Sequence, residues 1–346
     1  FNLIEEYKRQ EVNFIFENQS QPNKDSKFLM LENFKSGFVI CSTYPKYICV
    51  PISLSRYNIQ QVANFRSRER VPVLSYFWKK NQTNLWRGSQ CKPGIISSRN
   101  ETDELFVELM HRTDGKSLKG LGGSNLLYGS TKKAVEIFDA RDNLSAFANK
   151  LAGKGTESEE YYTNAYVSFN NVPNMHVVQS SYNKILLGCQ QLDSDSVMEN
   201  LKGSEWISCI ASLLQLSAKM SKAMINGVSV FVHCSDGWDR TAQVSSLTQL
   251  CLDPFYRTVT GFCHLIEKEF SEFGHKFASR LKIGIRDNNE VSPIFIQFLD
   301  CVHQIMQYEK NSFEFQESML MDISLLTYSG MFSVFYGDSI TDKQNI

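Results

Sequence analysis

The chain has 346 residues, of which 42% are hydrophobic and 12% aromatic, and its formal net charge is −1. These totals allow a sizeable core and exclude a generally basic protein that binds nucleic acid over its whole surface. No stretch of about 18 uncharged apolar residues occurs, so the sequence predicts no membrane span. The first residues also lack the basic flank and the apolar run of a secretory signal.

The nine cysteines indicate reduced thiols, because their number is odd, their spacing is wide and no C-x-x-C pair occurs. This pattern is typical of a cytosolic protein in which cysteines serve mostly as small buried apolar residues. The six histidines show no paired ligand spacing, so the sequence predicts no zinc site.

Strand-like and helix-like patterns alternate after a polar, mixed opening segment. The predicted elements of the first half are strands at 38–42 and 47–51, a helix at 54–66, a strand at 71–76, an irregular loop over 78–100 and a helix at 102–111. A glycine-rich stretch at 115–130 is predicted to be flexible or tightly turned.

The same alternation continues in the second half. Its predicted elements are a strand at 133–139, a helix at 142–150, strands at 166–169 and 176–178, a helix at 205–225, a strand at 228–233 and helices at 241–250, 262–277 and 294–306. The alternation favours an α/β fold with a central, largely parallel sheet flanked by helices. No repeat, low-complexity tract or linker divides the chain.

One stretch combines a strand, a short polar loop and a helix N-terminus. The β-branched run 228–233 leads into Cys234-Ser-Asp-Gly-Trp-Asp-Arg240, and apolar residues three apart follow from Val244. Inward-turned loop N–H groups and the roughly half positive charge of a helix N-terminus together form a site for an anion. A cysteine at the start of such a site loses its proton easily, and Arg240 can donate two N–H bonds to phosphoryl oxygens. The stretch predicts a phosphatase with a cysteine nucleophile.

The filled loop His233-Cys-Ser-Asp-Gly-Trp-Asp-Arg-Thr241 resembles the signature of the myotubularins, phosphatases that remove the 3-phosphate from phosphoinositides. Further blocks that resemble the family lie at 6–10, 65–75, 138–141, 148–150, 174–177, 256–258, 266–269, 273–277 and 292–301. The resemblance implies a cysteine-phosphatase (tyrosine-phosphatase-like) fold with a strand–loop–helix active site. It also implies one phosphatase domain over residues 1–346, without the family's PH-GRAM domain or C-terminal accessory modules, and with no cofactor or metal.

The sequence departs from the family pattern at three places. Glu69 replaces an expected glycine, Gln179 stands where an arginine is usual, and residues 86–94 match the family only loosely. These departures concern the rim of the expected site and leave the loop itself intact.

Three residues of the loop are the candidate catalytic residues. Cys234 is the candidate nucleophile, which attacks phosphorus in line and forms a phosphocysteine that water then hydrolyses. Arg240 and the loop N–H groups bind the phosphoryl oxygens and follow their charge into the transition state. The resemblance places the general acid, which protonates the alkoxide leaving group, at Asp239. A hydrogen bond that braces the loop is the alternative role for this aspartate.

The candidate substrate-binding residues are Ser235, Asp236, Gly237, Trp238, Lys276, Arg280, Asn149, Asn174 and Met175. By the resemblance, Lys276 and Arg280 meet a second phosphate of the head group; their spacing of four places them on one helix face, and a solvated surface is the alternative. Asp236 is more typical of a structural residue, and Trp238 either packs on the inositol ring or anchors the loop. The last three residues match positions that line the family's pocket, or they cap turns.

Together these residues predict a phosphoinositide 3-phosphatase for phosphatidylinositol 3-phosphate and the 3,5-bisphosphate. The implied partner is a phosphoinositide at a membrane surface, with homo- or hetero-oligomers of family members and no nucleic acid. The implied location is cytoplasmic, peripherally on the cytosolic face of endosomal membranes.

Two alternatives stay open. One is a catalytically weak adaptor that binds the lipid, although adaptors of the family typically lose the cysteine or the arginine. The other is a dual-specificity protein phosphatase, which the aspartates at 236 and 239 disfavour because they repel an acidic peptide.

Overall fold

The computed structural model describes residues 1–17, 19, 26–35, 38–111, 135–190, 194–282 and 289–344. The glycine-rich segment predicted at 115–130 lies outside these ranges. The chain divides into two units. The sheet unit comprises Asn2–Phe169 and Lys222–Gly237, and the helical unit comprises Phe1, Asn170–Ser221 and Trp238–Ile346.

The sheet unit contains all ten strands of the described chain. Its strands are β1 (Phe14–Phe16), β2 (Phe28–Glu32), β3 (Phe34–Lys35), β4 (Phe38–Val39), β5 (Tyr47–Pro51), β6 (Val73–Trp78), β7 (Thr83–Ser89), β8 (Val135–Asp139), β9 (Ala165–Phe169) and β10 (Ser229–Cys234). Its helices are α1 (Leu3–Arg9), α2 (Arg56–Phe65), α3 (Glu101–Leu109) and α4 (Asn143–Leu151). The predicted helix at 142–150 is confirmed as α4, and Asp142 caps it by accepting from the Ser145 N–H.

Two sheets of this unit are mixed. The larger has five strands in the order β6-β7-β10-β8-β9, with β6 and β7 antiparallel and the other three neighbouring pairs parallel. The smaller has the order β1-β2-β5, with one parallel and one antiparallel pair. The fold is therefore α/β as predicted, with mixed sheets.

Strand β10 lies at the centre of the larger sheet, and all six of its residues are buried. Its apolar run packs on both faces, as expected of a strand covered on both sides. Cys234 pairs in register with Ser89 of β7, and His233 pairs with Asp139 of β8. Because the three strands are parallel, the segments that follow them leave from the same edge of the sheet.

The prediction of an irregular loop over 78–100 is wrong at its centre, where β7 forms. This strand is buried along its whole length, yet its sequence includes asparagine and glycine, which are poor strand formers. The Asn84 side chain and the Trp86 indole both donate to the carbonyl of Met110, at 2.9 and 3.2 Å. Tertiary hydrogen bonds and burial, which leave no periodic pattern, therefore determine this strand.

The helical unit contains the remaining helices of the described chain. They are α5 (Met175–Cys189), α6 (Ser194–Gly203), α7 (Trp206–Ile225, whose last turn belongs to the sheet unit), α8 (Arg240–Leu252), α9 (Val259–Ile266), α10 (Phe277–Leu281), α11 (Ile294–Tyr308), α12 (Glu317–Ser329) and α13 (Ile340–Gln344). Phenylalanines 262, 270, 277, 295 and 298 form a buried cluster of ring contacts in this unit. No helix in the described ranges is long and apolar enough to cross a lipid bilayer.

Two predictions in this unit are wrong. The predicted strand at 176–178 is the first turn of α5, because Asn174 caps that helix by accepting from two backbone N–H groups. The predicted continuous helix at 262–277 is α9 followed by a π-helical turn, Glu267–Glu272, and a break before α10. That turn carries Lys268 and Glu269, both fully buried with their charged atoms 3.6 Å apart.

The cysteines other than Cys234 divide into two groups. Five are buried, as expected, whereas Cys189, Cys251 and Cys263 are exposed. Burial raises the pKa of the Cys49 and Cys301 thiols, which keeps them protonated and unreactive.

Candidate active site

The loop singled out by the sequence runs from Cys234, the last residue of β10, to Arg240, the first residue of α8. Its first half, Cys234–Gly237, belongs to the sheet unit, and its second half, Trp238–Arg240, belongs to the helical unit. Both ends of the loop are therefore anchored in regular structure.

Donors of the sheet unit hold the carbonyl oxygens of the first half. The backbone N–H of Gln90 donates to the Ser235 carbonyl at 3.1 Å. The guanidinium groups of Arg70 and Arg87 both donate to the Gly237 carbonyl, at 3.0 and 2.9 Å. In a trans peptide the carbonyl and the following N–H point in opposite directions. These bonds therefore turn the N–H groups of residues 236 and 238 away from their donors, as an anion site requires.

Gly237 is the residue that allows this conformation. Its φ of +82° lies in the left-handed region, and a Cβ at this position would lie 2.2 Å from the carbonyl oxygen of Gly88. A side chain there would therefore clash with the backbone of β7, so only glycine fits.

The sequence does not predict the contacts that Arg70 and Arg87 make with the loop. Both are fully buried, and the Arg70 guanidinium also stacks on the Tyr44 ring, 4.4 Å from its centroid. Burial raises the pKa of Tyr44 to about 12, so it stays a neutral partner. The 65–75 block pointed to this region only as a resemblance, and Arg87 lies in the strand that was predicted to be a loop.

A sealed ion cluster lies beside the start of the loop. The His233 ring contacts the Cys234 carbonyl oxygen at 3.1 Å and the Glu157 carboxylate at 2.9 Å. Glu157 also pairs with Arg66, whose Nε donates to Asp103 at 2.7 Å. All four side chains are fully buried. We call Arg66, Asp103, Glu157 and His233 the rear cluster.

Burial and charge act in opposite directions within the rear cluster. Burial favours neutral Glu157, but His233 and Arg66 hold the pKa of its carboxyl well below the usual range. Burial likewise favours neutral His233, but the carboxylates of Glu157 and Asp139 raise the pKa of its ring above 6.5. The cluster thus holds its charges as matched pairs.

Two other candidate residues of the sheet unit bond to the protein around the loop. The Asp236 carboxylate accepts from the Ser67 hydroxyl at 2.7 Å and lies 3.9 Å from the Lys154 ammonium. The Asn149 side chain donates to the Ser145 carbonyl at 2.7 Å and accepts from the Gln90 side chain at 3.4 Å. Both residues are thereby oriented by the unit that carries Cys234.

In the helical unit, Asp239 lies within a second ion cluster. Arg280 donates to its two carboxylate oxygens, at 2.8 Å from Nη2 and 3.2 Å from Nε. The His275 Nδ1 lies 3.1 Å from the same carboxylate and 3.0 Å from the Trp238 carbonyl oxygen, so one N–H is shared between them. Burial opposes the charge, but Arg280 and His275 hold the pKa of Asp239 well below its usual range.

The predicted pair Lys276 and Arg280 converges on one carboxylate. The Lys276 ammonium and the Arg280 guanidinium each lie 3.1 Å from the same oxygen of Glu290. The Lys276 ammonium also lies 4.7 Å from the Trp238 ring centroid. We call Asp239, His275, Lys276, Arg280 and Glu290 the front cluster. It brings two cations to one anion, the arrangement that a second phosphate would need.

The N-terminus of α8 has no side-chain cap, although Asp239 occupies the capping position. The first N–H groups of a helix have no intrahelical partners, so they can bind an anion. Arg240, which is buried, donates from one nitrogen to the Val172 carbonyl at 3.1 Å. Asn174 uses its side-chain oxygen to cap α5, and the Met175 carbonyl accepts from Ser292 at 2.8 Å.

Chemically, the loop combines a cysteine, oriented backbone donors, an arginine and a carboxylate held by cations. A comparison with protein-family models matches residues 1–344 to the myotubularin-like phosphatase domain. The chain belongs to this family. The loop residues from Cys234 to Arg240 lie within the matched range.

Curated relatives cover nearly the whole chain. It is similar to phosphatidylinositol-3,5-bisphosphate 3-phosphatase MTMR8 of Homo sapiens, with 41% identity over 314 residues, 90% of this chain and 42% of that protein. Myotubularin of Xenopus laevis is 36% identical over 337 residues, 96% of this chain and 53% of its own. Phosphatidylinositol-3-phosphate phosphatase MTMR7 of Pongo abelii is 37% identical over 349 residues, which cover 100% of this chain and 48% of that protein. The chain spans about half the length of these relatives.

At one departure from the myotubularin pattern, the structure shows why a glycine would suit the position. Glu69, which replaces the expected glycine, has a φ of +54°. This left-handed conformation favours glycine, and other residues reach it at a cost of roughly 1–2 kcal/mol. The neighbouring Arg70 holds the loop at Gly237. The backbone course survives the substitution even though the residue that suits it best is missing.

Proposed function

We propose that this myotubularin-like domain hydrolyses the 3-phosphate of phosphatidylinositol 3-phosphate and of the 3,5-bisphosphate through a phosphocysteine. The observation that carries the proposal is the loop after β10. Cys234 stands at its start, the carbonyls of Ser235 and Gly237 are held by sheet-unit donors, and Arg240 opens the uncapped helix α8. The activities in the names of the relatives from Homo sapiens and Pongo abelii support this substrate class. The same strand–loop–helix arrangement supports the finer assignment of a cysteine-phosphatase fold, with the parallel strands of the larger sheet around β10 at its centre.

Two displacements account for the reaction. In the first, the Cys234 thiolate forms an S–P bond while the bond from phosphorus to the inositol oxygen breaks, and Asp239 supplies the proton to that oxygen. In the second, water attacks phosphorus, the S–P bond breaks, and the Asp239 carboxylate takes the proton from water. Arg240 and the loop N–H groups hold the three other phosphoryl oxygens throughout.

Asp239 must carry a proton for the first step, although the front cluster favours its carboxylate form. A bound phosphate dianion supplies negative charge close to this residue, and a like charge raises the pKa of a carboxyl group. The substrate itself therefore promotes the protonation that the leaving group needs. For the second step the front cluster already holds the charged form that accepts a proton.

We further propose that the protein binds peripherally to the cytosolic face of endosomal membranes and forms oligomers with family members. The substrate is a membrane lipid, so the enzyme has to reach it at a lipid surface.

Phosphate release from short-chain phosphoinositides, compared with release from a phosphotyrosine peptide, tests the reaction. Cys234→Ser should abolish release from both 3-phosphorylated lipids, and Cys251→Ser, at an exposed cysteine in the last turn of α8, should leave the rate unchanged. Absence of release from every 3-phosphorylated lipid by the wild type would contradict the proposal. Lipid binding without release would indicate the adaptor, and comparable rates on the peptide would indicate a dual-specificity phosphatase.

A further inference from the structure

Helix α4 presents its apolar side to solvent. Leu144, Phe147 and Leu151 are 82%, 62% and 60% exposed, and their spacing of three and four residues places them on one helix face. In most surface helices the apolar face is the buried one. In α4 only Ala146 is buried. A large apolar face left in water indicates a binding surface.

A second exposed apolar pair lies in the loop that follows β7. Ile95 and Ile96 are 66% and 87% exposed. This loop and α4 line the same cavity of about 300 Å³, and the Gly155 N–H after the helix donates to the Cys91 carbonyl at 3.0 Å. The five side chains Ile95, Ile96, Leu144, Phe147 and Leu151 form what we call the apolar edge.

The apolar edge lies on the side of the sheet from which the catalytic loop leaves. Its loop follows β7, its helix follows β8, and the catalytic loop follows β10, which lies between these two parallel strands. Gln90 connects the three segments, because it donates from its backbone to the Ser235 carbonyl and from its side chain to Asn149 of α4.

Basic residues accompany these apolar side chains. Lys150 lies on α4 itself, Lys154 follows the helix, and Lys92 begins the neighbouring loop. Large apolar side chains flanked by lysines are typical of segments that lie in the interface of an anionic membrane.

We propose that the apolar edge inserts into the leaflet that faces the protein in an anionic lipid bilayer. The inserted edge then holds the loop from Cys234 to Arg240 at the membrane surface. This inference rests on the proposed function, because a lipid substrate requires the site to face a bilayer. Of the five side chains only Phe147 lines the cavity. The other four lie outside it and are exposed to solvent, which suits a fluid lipid surface better than the shaped surface of a protein. Insertion of the edge brings the sheet edge that carries Cys234 towards the head groups.

Vesicle binding measures this directly. The full chain carrying Cys234→Ser is sedimented with phosphatidylcholine vesicles that contain phosphatidylserine and no phosphoinositide, so that recognition of the substrate plays no part. Replacing Leu144, Phe147 and Leu151 by glutamine should weaken vesicle binding by about 10-fold or more, because three large apolar groups stay in water. The matched control replaces Met321, Leu325 and Tyr328 of α12, which are similarly exposed, by glutamine. This control should bind vesicles as the parent does.

Activity provides the second readout. For this readout the chain keeps its native Cys234. The apolar-edge variant should then hydrolyse soluble short-chain phosphoinositide at the rate of its parent, whereas its rate on the same head group in vesicles should fall by about 10-fold or more. If the parent chain does not hydrolyse the soluble lipid, the proposed function is contradicted. Vesicle binding does not depend on hydrolysis and therefore tests the apolar edge independently.

Three results would overturn the inference. They are a parent protein that does not bind the vesicles, an apolar-edge variant that binds as well as its parent, and a variant that changes only the oligomeric state. The last would assign the surface to a second copy of the chain. Should the triple variant fail to fold, Ile96→Gln with Leu144→Gln, at the two most exposed positions of the edge, gives the same test.

Discussion

The two halves of the loop from Cys234 to Arg240 are held by ion clusters of different character. The rear cluster in the sheet unit is sealed, with Arg66, Asp103, Glu157 and His233 all fully buried. The front cluster in the helical unit is partly open, because the side chains of Lys276 and Glu290 are 23% and 45% exposed. A ligand cannot reach the rear cluster, whereas Lys276 and Glu290 of the front cluster are accessible from solvent.

The difference separates a supporting role from a chemical one. A sealed cluster with paired charges fixes geometry, and breaking it leaves a charge that water cannot reach. A partly open cluster can exchange one of its anions for a ligand anion at small cost, since exposed ion pairs contribute little. Changes in the rear cluster should therefore act on stability, and changes in the front cluster should act on catalysis and substrate choice.

Asp239→Asn is the sharpest test of the front cluster and should lower turnover of phosphoinositides by about 10²–10⁴-fold. Asparagine keeps the shape but cannot transfer the proton. An aryl phosphate, whose phenolate leaves without help, should be affected far less. Equal losses on the two substrates, measured as kcat, would assign a merely structural role to this carboxylate.

Glu157→Gln tests the rear cluster and should lower the free energy of unfolding by about 3–5 kcal/mol, because Arg66 and His233 lose a buried partner. Urea unfolding at neutral pH measures the effect. Glu160→Gln, an exposed neighbour, is the control and should change stability by no more than about 0.5 kcal/mol. A Glu157 variant as stable as this control would show that the rear cluster does not support the fold.

The pH dependence of stability tests the charge state of one carboxylate in each cluster. The pKa of Glu157 is lowered from 4.5 and that of Asp239 from 3.8, so their contributions are complete above these values and are lost as the pH falls below them. Each unit of pKa difference corresponds to about 1.4 kcal/mol. Unfolding measured between neutral and acid pH should therefore show a steep loss in the wild type and a shallower one in Glu157→Gln. Parallel curves would contradict the assigned charge states.

His233 acts in the opposite sense. Its pKa is raised above 6.5, so its contribution is complete below that value and declines as the pH rises through the higher folded value.

Glu290→Gln tests whether the front cluster can exchange its anion. This carboxylate bonds to both Lys276 and Arg280, so it competes with a second phosphate for them. The variant should lower KM for the 3,5-bisphosphate by up to about 5-fold, which corresponds to the strength of an exposed ion pair. KM for the monophosphate should stay the same. An equal change for both lipids would show that the pair does not read a second phosphate.

Much of this architecture could be predicted from local signals in the sequence. The apolar run before Cys234, the cap at Asp142 and the long helix ending near Gly227 are local patterns, and the structure confirms the elements that they predicted. The α/β class followed from their alternation.

The rest depends on contacts between residues distant in the chain. Strand β7 is set by burial and by bonds to Met110, and Arg70 and Arg87 gain their role only by meeting Gly237 in space. The partnership of Glu157 with His233 spans 76 positions. The local spacing of Lys276 and Arg280 was visible, but their shared partner Glu290 was not, because it lies 14 and 10 positions away from them in the sequence.

The close approach of Gly237 to the Gly88 carbonyl has a practical consequence for laboratory evolution of this domain. No side chain can be introduced at that position without displacing the backbone of β7, so a library that randomises the whole loop wastes most of its members. Diversity confined to positions 236 and 238, on either side of this fixed point, would preserve the turn at Gly237 and, under the proposed function, vary the contacts with the head group.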